Sequence, residues 1–362
     1  KGQQLHHFAQ QFKFKGNVVE VKPLGNGLIN PTYKVVTDGD NPDYVLQHIN
    51  NAIFPDVDML MDNIVAVTGH IRKKLEAANT YDIDRKVLSF VPAKDGKYFY
   101  FDGDKYWRVM VFIPDTVTKS GVTPESSYIV GETFGDFQAM LADIPVTLGE
   151  TIKDFHNIEF RLQQLKEAVE ADKAGRLAAT KYIVDEVMAR AENMCRGERL
   201  HREGKLPKRV CHCDTKVDNI LFDQNDNVLC VIDLDTVMPS FIFSDYGDFL
   251  RSAANFVAED CPEIDKVGFN MEVFKAFTKG YLKTASKFLT PIEIENLPYA
   301  ATLFPYMQVV RFYADYLNGD TYFKTQYPEH NLVRTKNQLA LLESAEKHLP
   351  EMEAFIKEQL AK

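Results

Sequence analysis

Residues Val210 to Thr236 read VCHCDTKVDNILFDQNDNVLCVIDLDT, and the reading of the whole 362-residue chain turns on them. Ile220 to Phe222 and Val228 to Ile232 are short apolar runs, joined by the polar segment Asp223-Gln224-Asn225-Asp226-Asn227. That pattern predicts a β-hairpin. A turn centred near Asp226 sets Asn219 opposite Asp233 at the open end, with side chains about 5 Å apart. An amide oxygen and a carboxylate there form a hard, all-oxygen pair suited to Mg²⁺. Asp214 lies five residues upstream on the entering loop, with Lys216 between. A carboxylate, a lysine and a two-ligand metal site are what phosphoryl transfer requires. The carboxylate orients and deprotonates an acceptor hydroxyl, and the cations neutralise charge on the moving phosphoryl group. Asp214 and Lys216 are therefore the catalytic candidates, and Asn219 and Asp233 the metal ligands. Asp218, Asp223, Asp226 and Asn227 read as turn residues, and His212 as a brace for the loop. Cys211-His212-Cys213 is not read as a zinc site, because alternating residues do not readily chelate one ion and no second pair follows at usable spacing.

Upstream, Val18 to Leu24 and Tyr33 to Thr37 flank a glycine-bearing turn at Gly25-Asn26-Gly27-Leu28-Ile29-Asn30, and Tyr44 to Ile49, Lys97 to Phe101 and Tyr106 to Phe112 read as further strands. One helix lies among them: Pro55-Asp56 supplies the start, and Val57, Leu60, Ile64, Val67, Ile71 and Leu75 recur at three- or four-residue steps. Beyond Ile113 to Thr118 the periodicity is helical, over Glu125 to Leu141, Leu177 to Arg196, Asp245 to Ala258, Met271 to Thr284 and Asn337 to Leu360. A sheet-plus-helix lobe followed by a larger helical lobe is an α+β arrangement. The expected division is 1–115 as the N-terminal lobe and 116–362 as the C-terminal lobe.

Composition narrows the partners. Lys and Arg total 42 against 52 Asp and Glu, a formal net charge of −10. With no basic stretch, that balance argues against nucleic acid or an anionic membrane surface. No apolar run approaches the roughly 20 residues of a bilayer span, and Lys1 to Phe14 lacks the apolar core of a leader. The five cysteines are an odd number without framework spacing. The expectation is a soluble, cytoplasmic protein in a reducing compartment.

His212, Asp214 and Asn219 match the kinase catalytic-loop pattern H-x-D-x-x-x-x-N, and Ile232-Asp233-Leu234-Asp235 follows as I-D-x-D. The pair resembles the aminoglycoside phosphotransferase and choline kinase branch of the kinase-like fold. Three segments are similar in particular to bacterial N-acetylhexosamine 1-kinases: Gly25 to Tyr33 with Tyr44 to Asn50, Val231 to Pro239 with Asp245 to Arg251, and Arg311-Phe312 continuing through Asp315 to Phe323. The resemblance implies a bilobal protein-kinase-like fold with a small antiparallel-sheet N-lobe that binds nucleotide and a larger, mostly helical C-lobe that binds sugar. It also implies ATP and Mg²⁺ as cofactors, and phosphorylation of the anomeric hydroxyl of N-acetylglucosamine or N-acetylgalactosamine. It assigns Arg311 and Tyr322, beside Asp214, to the sugar, and Gly25, Gly27, Asn30 and Gln47 to the nucleotide. Gln47 stands where a protein kinase carries its phosphate-pairing lysine, so the phosphates must rely on Mg²⁺, on backbone N–H groups of the glycine turn and on Lys216. Asp58 and Asp62, with no lysine to pair, are expected at the surface or in a cap. Other readings stay open at this point: a kinase for choline, an amino alcohol or an aminoglycoside, for which Asp315 and Asp320 offer carboxylates; a catalytically silent nucleotide-binding protein; or a metal-binding helical protein.

Overall fold

The computed structural model describes residues 2–25 and 31–362; Gly27 and Asn30, two of the expected nucleotide contacts, lie outside the described residues. In chain order the elements begin with α1 (Gly2–Ala9), β1 (Val18–Pro23), β2 (Thr32–Thr37), β3 (Tyr44–Ile49), α2 (Val57–Ala77), β4 (Phe90–Val91), β5 (Tyr100–Phe101) and β6 (Tyr106–Val111). They continue through α3 (Pro124–Leu141), α4 (Ile158–Ala171), α5 (Leu177–Met194), α6 (Arg196–Arg202), β7 (Arg209–Cys211), β8 (Ile220–Phe222), β9 (Val228–Val231) and β10 (Met238–Ser240). Helices α7 (Phe243–Ala253), α8 (Met271–Ala285), α9 (Pro291–Glu295), α10 (Leu297–Leu317), α11 (His330–Lys347) and α12 (Leu349–Leu360) complete the chain.

Two compact units emerge, and they interleave in sequence. One comprises Lys1–Thr118, Asp143–Lys153 and Asn219–Met238; the other comprises Lys119–Ala142, Asp154–Asp218 and Pro239–Lys362. The hairpin β8–β9 groups with the N-terminal residues because its backbone is bonded there: Val117 and Phe222 exchange N–H···O bonds of 2.8 and 2.9 Å, and Lys86 Nζ donates to the Val228 carbonyl.

In the sheet unit every pairing is antiparallel, in the order β1-β2-β3-β6-β4 with β5 on β6. Strand alternation gives the sheet two faces. Tyr44, Leu46, Trp107 and Val109 turn to a core closed by Leu5, Ala9 and Phe12. Val45, Gln47, Arg108 and Met110 turn the other way, into a cavity. Helix α1 escapes sequence reading because its apolar residues are diluted by Gln and His; Leu5, Ala9 and Phe12 find their face only against the sheet. Helix α2 begins as expected, with the Asp56 carboxylate accepting from Met59 N–H at 3.0 Å. Asp58 and Asp62 are exposed on it.

The hairpin forms, but its register differs from the expected one. Ile220 pairs with Val231 and Leu221 with Cys230, with a bulge before Phe222, and the Ile232 N–H bonds the Asn219 carbonyl at 2.9 Å. Asn219 therefore faces Ile232, not Asp233. The cause lies in the turn. Asp223 accepts from the N–H groups of Asn225 and Asn227, and Asp226 takes a positive φ of 62°, which places an extra residue on one arm.

In the helical unit the expected helices form within a few residues of their forecast ends, and Asn337 to Leu360 proves to be parts of two, α11 and α12, with Pro350 in the first turn of the second. Helices α4 and α10 were not foreseen. Helix α10 is buried nearly all round, so it carries no amphipathic period to detect. Among the described residues no helix is long and apolar enough to cross a membrane. Helices α3 and α8 approach closely over glycines: a Cβ on Gly280 would overlap the Tyr128 carbonyl, and one on Gly131 the Phe277 carbonyl. Gly280→Ala is accordingly expected to destabilise the protein by about 1–3 kcal/mol, the usual overpacking range, lowering the urea midpoint, whereas Gly96→Ala, at an open turn, acts only through its backbone conformation.

Candidate active site

In the sheet unit, a cavity of about 410 Å³ lies between the sheet, α2 and the hairpin. Leu24, Val45, Ile64, Leu88, Phe90 and Ile113 give it an apolar wall, and Gln47, Arg108, Asn219, Asp233 and Asp235 its polar end. Asn219, closing one hairpin arm, is buried at 5% exposure. Asp233 follows the other arm in a left-handed conformation, φ 58° and ψ 68°. That turn away from strand geometry brings Asp233 to the same cavity as Asn219 although the two are not opposite each other in register. An amide oxygen and a carboxylate oxygen at one polar end suit a hard cation that keeps further oxygen ligands from phosphate or water. Among the described residues no cluster of three or more His, Cys, Asp or Glu could hold a metal by protein ligands alone. Gly25, at φ 70°, has nothing within 4 Å of where a Cβ would stand, so its glycine serves conformation rather than close approach.

Gln47 does not stand alone. Its register partner on β6 is Arg108, whose Nε and Nη2 donate to Gln47 Oε1 at 3.0 and 2.7 Å. The same guanidinium forms a fork with Asp235, to Oδ1 at 2.5 Å and to Oδ2 at 3.0 Å. Arg108 and Asp235 are each only 4% exposed. Sequence reading missed this pair, although I-D-x-D had drawn attention to Asp235.

In the helical unit, β7 leads into a loop fixed by buried charge. Arg209 clamps the wholly buried Glu293 through two bonds of 2.7 and 2.9 Å. Asp245, on α7, accepts from the N–H groups of His212 and Cys213 at 3.0 and 2.8 Å and from Gln138 Nε2 at 2.9 Å. Its own carbonyl takes the Thr215 hydroxyl. Burial pushes the Asp245 carboxyl above the usual range, against the pull of His212 and the two N–H donors. His212 is fully buried between the edges of Phe134 and Phe137, and its Nδ1 accepts from Asp214 N–H at 3.2 Å, a bracing contact. Cys213 sits at φ 68°. Its thiol, like that of Cys211, is pushed well up by burial. The loop thus delivers Asp214 partly exposed, with the exposed Lys216 Nζ 3.9 Å from its Oδ2.

A second cavity, of about 370 Å³, belongs to this unit alone and runs along α4 and α10. Arg311 and Tyr322 both line it, with the guanidinium 5.7 Å from the Tyr322 ring and 5.3 Å from that of Phe323. Arg161, not anticipated from sequence, lines it too. Its donors go to the Phe155 carbonyl and Gln164, and burial followed by repulsion from Arg311 brings it down to about 10. Among the described residues neither guanidinium is in an ion pair. Of the nearby carboxylates, Glu167 lines the cavity outside any ion pair among the described residues, whereas Asp315 and Asp320 are committed elsewhere. Asp315 accepts from the N–H groups of Tyr322 and Phe323 and from Asn331, and Asp320 pairs with Arg176 at 2.9 Å.

The model of the phosphotransferase enzyme family, APH, matches residues 20–274. Among solved structures, the chain is similar to an aminoglycoside phosphotransferase from Alicyclobacillus acidocaldarius, with TM-score 0.61 and 14% identity over 97% of this chain and 96% of that one. A choline kinase from Cryptosporidium parvum gives TM-score 0.55 at 14% identity, covering 95% and 93%. A spectinomycin phosphotransferase determined with ADP and spectinomycin gives 0.54 at 12%, covering 96% and 99%. The fold is kinase-like, with an antiparallel-sheet N-terminal region and a helical C-terminal region.

Asp248, three residues beyond Asp245, supplies a pH test. Burial raises its carboxyl from 3.8 to about 6, offset in part by Arg251 and reinforced by Asp214. The folded protein therefore holds a proton that the unfolded chain has released, and stability carried by this group is full below about pH 4 and lost as pH rises through about 6. Between pH 4 and 6.5 the urea midpoint of the wild type is expected to fall relative to that of Asp248→Asn; a constant difference would contradict the assignment.

Proposed function

This chain belongs to the phosphotransferase enzyme family, and we propose that it is an ATP-dependent kinase acting on the anomeric hydroxyl of an N-acetylhexosamine to give the sugar 1-phosphate. The observation that carries the choice of acceptor is the charge of the helical unit's cavity. Among the described residues Arg161, Arg311 and Lys173 line it without carboxylate ion pairs and outnumber the one unpaired lining carboxylate, Glu167, while Asp315 and Asp320 are held by backbone N–H groups, Asn331 and Arg176. Two desolvated guanidiniums repel a quaternary or primary ammonium and attract carbonyl and hydroxyl oxygens. The rings of Phe155, Tyr322 and Phe323 around Arg311 offer apolar faces to a pyranose or an acetamido methyl. That balance supports a neutral, amide-bearing sugar over choline, an amino alcohol or an aminoglycoside.

Asp214 serves as orienting base in this reading. An anomeric hydroxyl is more acidic than an ordinary alcohol, so a carboxylate can accept its proton late in a loose, in-line transfer. The hydrogen bond from Asp214 N–H to the buried His212, and the hold of Asp245 on the same loop, keep that carboxylate placed. The apolar wall of the sheet unit's cavity suits a nucleotide base, while Asn219 and Asp233 would hold magnesium. Bound there, magnesium supplies the positive charge that offsets the polyphosphate. Only four residues of chain separate Asp214 from Asn219, so the base and the first metal ligand are near neighbours along the chain. A cytoplasmic setting fits five cysteines that are all free thiols.

A coupled ADP-release assay over N-acetylglucosamine, N-acetylgalactosamine, glucosamine, choline and ethanolamine tests the reading, with the N-acetylated sugars expected to exceed every amine. Preference for an amine would overturn it. Asp214→Asn is expected to lower kcat by at least about 10³-fold, toward the upper end of what a positioned base contributes, with ATP affinity largely retained. Arg161→Met is expected to raise the acceptor KM about tenfold and leave the ATP KM unchanged.

A further inference from the structure

We propose that the buried Arg108–Asp235 pair is a positioning device for the metal-binding turn, holding Asp233 in the backbone conformation that directs its carboxylate into the cavity. The inference rests on the reading of Asp233 as a metal ligand and extends it to residues that do not touch the metal. Asp233 is not glycine, yet it adopts φ 58° and ψ 68°. Such a conformation persists in an L-residue only where the surroundings over-determine it. Here the constraint comes from both the side chain and the main chain of the residues that follow. Asp235, two residues on, is fixed by the two-toothed bond from Arg108. Its carbonyl accepts from the Thr151 hydroxyl at 2.8 Å. The turn closes through Val237 N–H to the Leu234 carbonyl, and Asn63 of α2 reaches the Val237 carbonyl while bonding both backbone groups of Gly149.

Arg108 suits a positioning role and not a role as phosphate ligand, because its donors are already spent. Nε donates to Gln47, Nη2 is shared between Gln47 and Asp235, and Nη1 is shared between Asp235 and the Met61 sulfur. A guanidinium has five N–H groups in a rigid fork, and those bonds occupy all five. This also gives Gln47 a function. Its neutral amide oxygen accepts two bonds on the strand next to Arg108, where a lysine would set a second cation against the guanidinium. Because the pair is buried, removing either member strands a charge beside Asp233. Without Arg108, the Asp235 carboxylate is released into the same polar end of the cavity. Without the Asp235 charge, the turn loses its tie to the sheet.

The experiment is titration of the full-length protein with Mn²⁺ in the presence of ADP, followed by electron paramagnetic resonance, a readout independent of turnover. Wild type is expected to bind Mn²⁺, and Asp233→Asn to lose it. Arg108→Met and Asp235→Asn are expected to weaken Mn²⁺ binding about tenfold or more, the usual consequence of removing a group that orients a metal ligand, with Arg108→Lys falling between. A doubly apolar variant, Arg108→Met with Asp235→Leu, separates positioning from mere stability. It is expected to regain a thermal midpoint near that of wild type while its Mn²⁺ affinity stays low. Unchanged Mn²⁺ affinity in folded Arg108→Met and Asp235→Asn, alongside loss in Asp233→Asn, overturns the positioning role alone. Retained binding in Asp233→Asn overturns the assignment of Asp233 as ligand, and the positioning role with it.

Discussion

A charge taken out of water must be met by another charge or by a fan of hydrogen bonds, and this molecule places its chemistry on such points. Asp245 is the clearest case. One buried carboxylate gathers the N–H groups of His212 and Cys213 and the amide of Gln138, and the loop that presents Asp214 has its shape because those donors converge. Arg209 with Glu293 anchors the strand before that loop, and Arg108 with Asp235 anchors the turn after Asp233. Each is a bidentate pair with at least one member almost wholly buried, so each fixes direction as well as distance.

The same economy shapes the structural carboxylates. Asp223, Asp315 and Asp320 spend their oxygens on backbone N–H groups, Asn331 or Arg176. Asp214 is partly exposed, with Lys216 Nζ 3.9 Å from its Oδ2, and Asp233 is exposed at a cavity. In the helical unit, among the described residues, the guanidiniums of Arg161 and Arg311 stay outside ion pairs in a cavity that Glu167 also lines.

Much of the candidate site was legible in the chain because its proposed residues are close in sequence. His212, Asp214, Asn219 and Asp233 span a loop and a hairpin, and local turn chemistry suffices to suggest their roles. Register was not legible. Centring the turn on Asp226 misplaced Asn219 by one partner, since the Asx-type bonds of Asp223 and the positive φ of Asp226 reset the count. Arg161 gave no signal at all, as an arginine on an amphipathic helix reads as a solvated face until the opposite helix is known. Helix α10 hid for the opposite reason, being buried on nearly every side.

The sequence alone determined which groups could act: the acid on the loop, the amide and acid flanking the hairpin, the neutral glutamine in place of a cation, and the helices whose apolar period is 3.6. Tertiary structure alone decided how those groups are held. Arg108 and Asp235 lie 127 residues apart, Gln138 and Asp245 lie 107 apart, and Arg161 shares a cavity with Arg311 across two helices. Pairings at such separations leave no period or motif in the chain, because what selects them is the cost of burying charge, and burial exists only once the chain has folded.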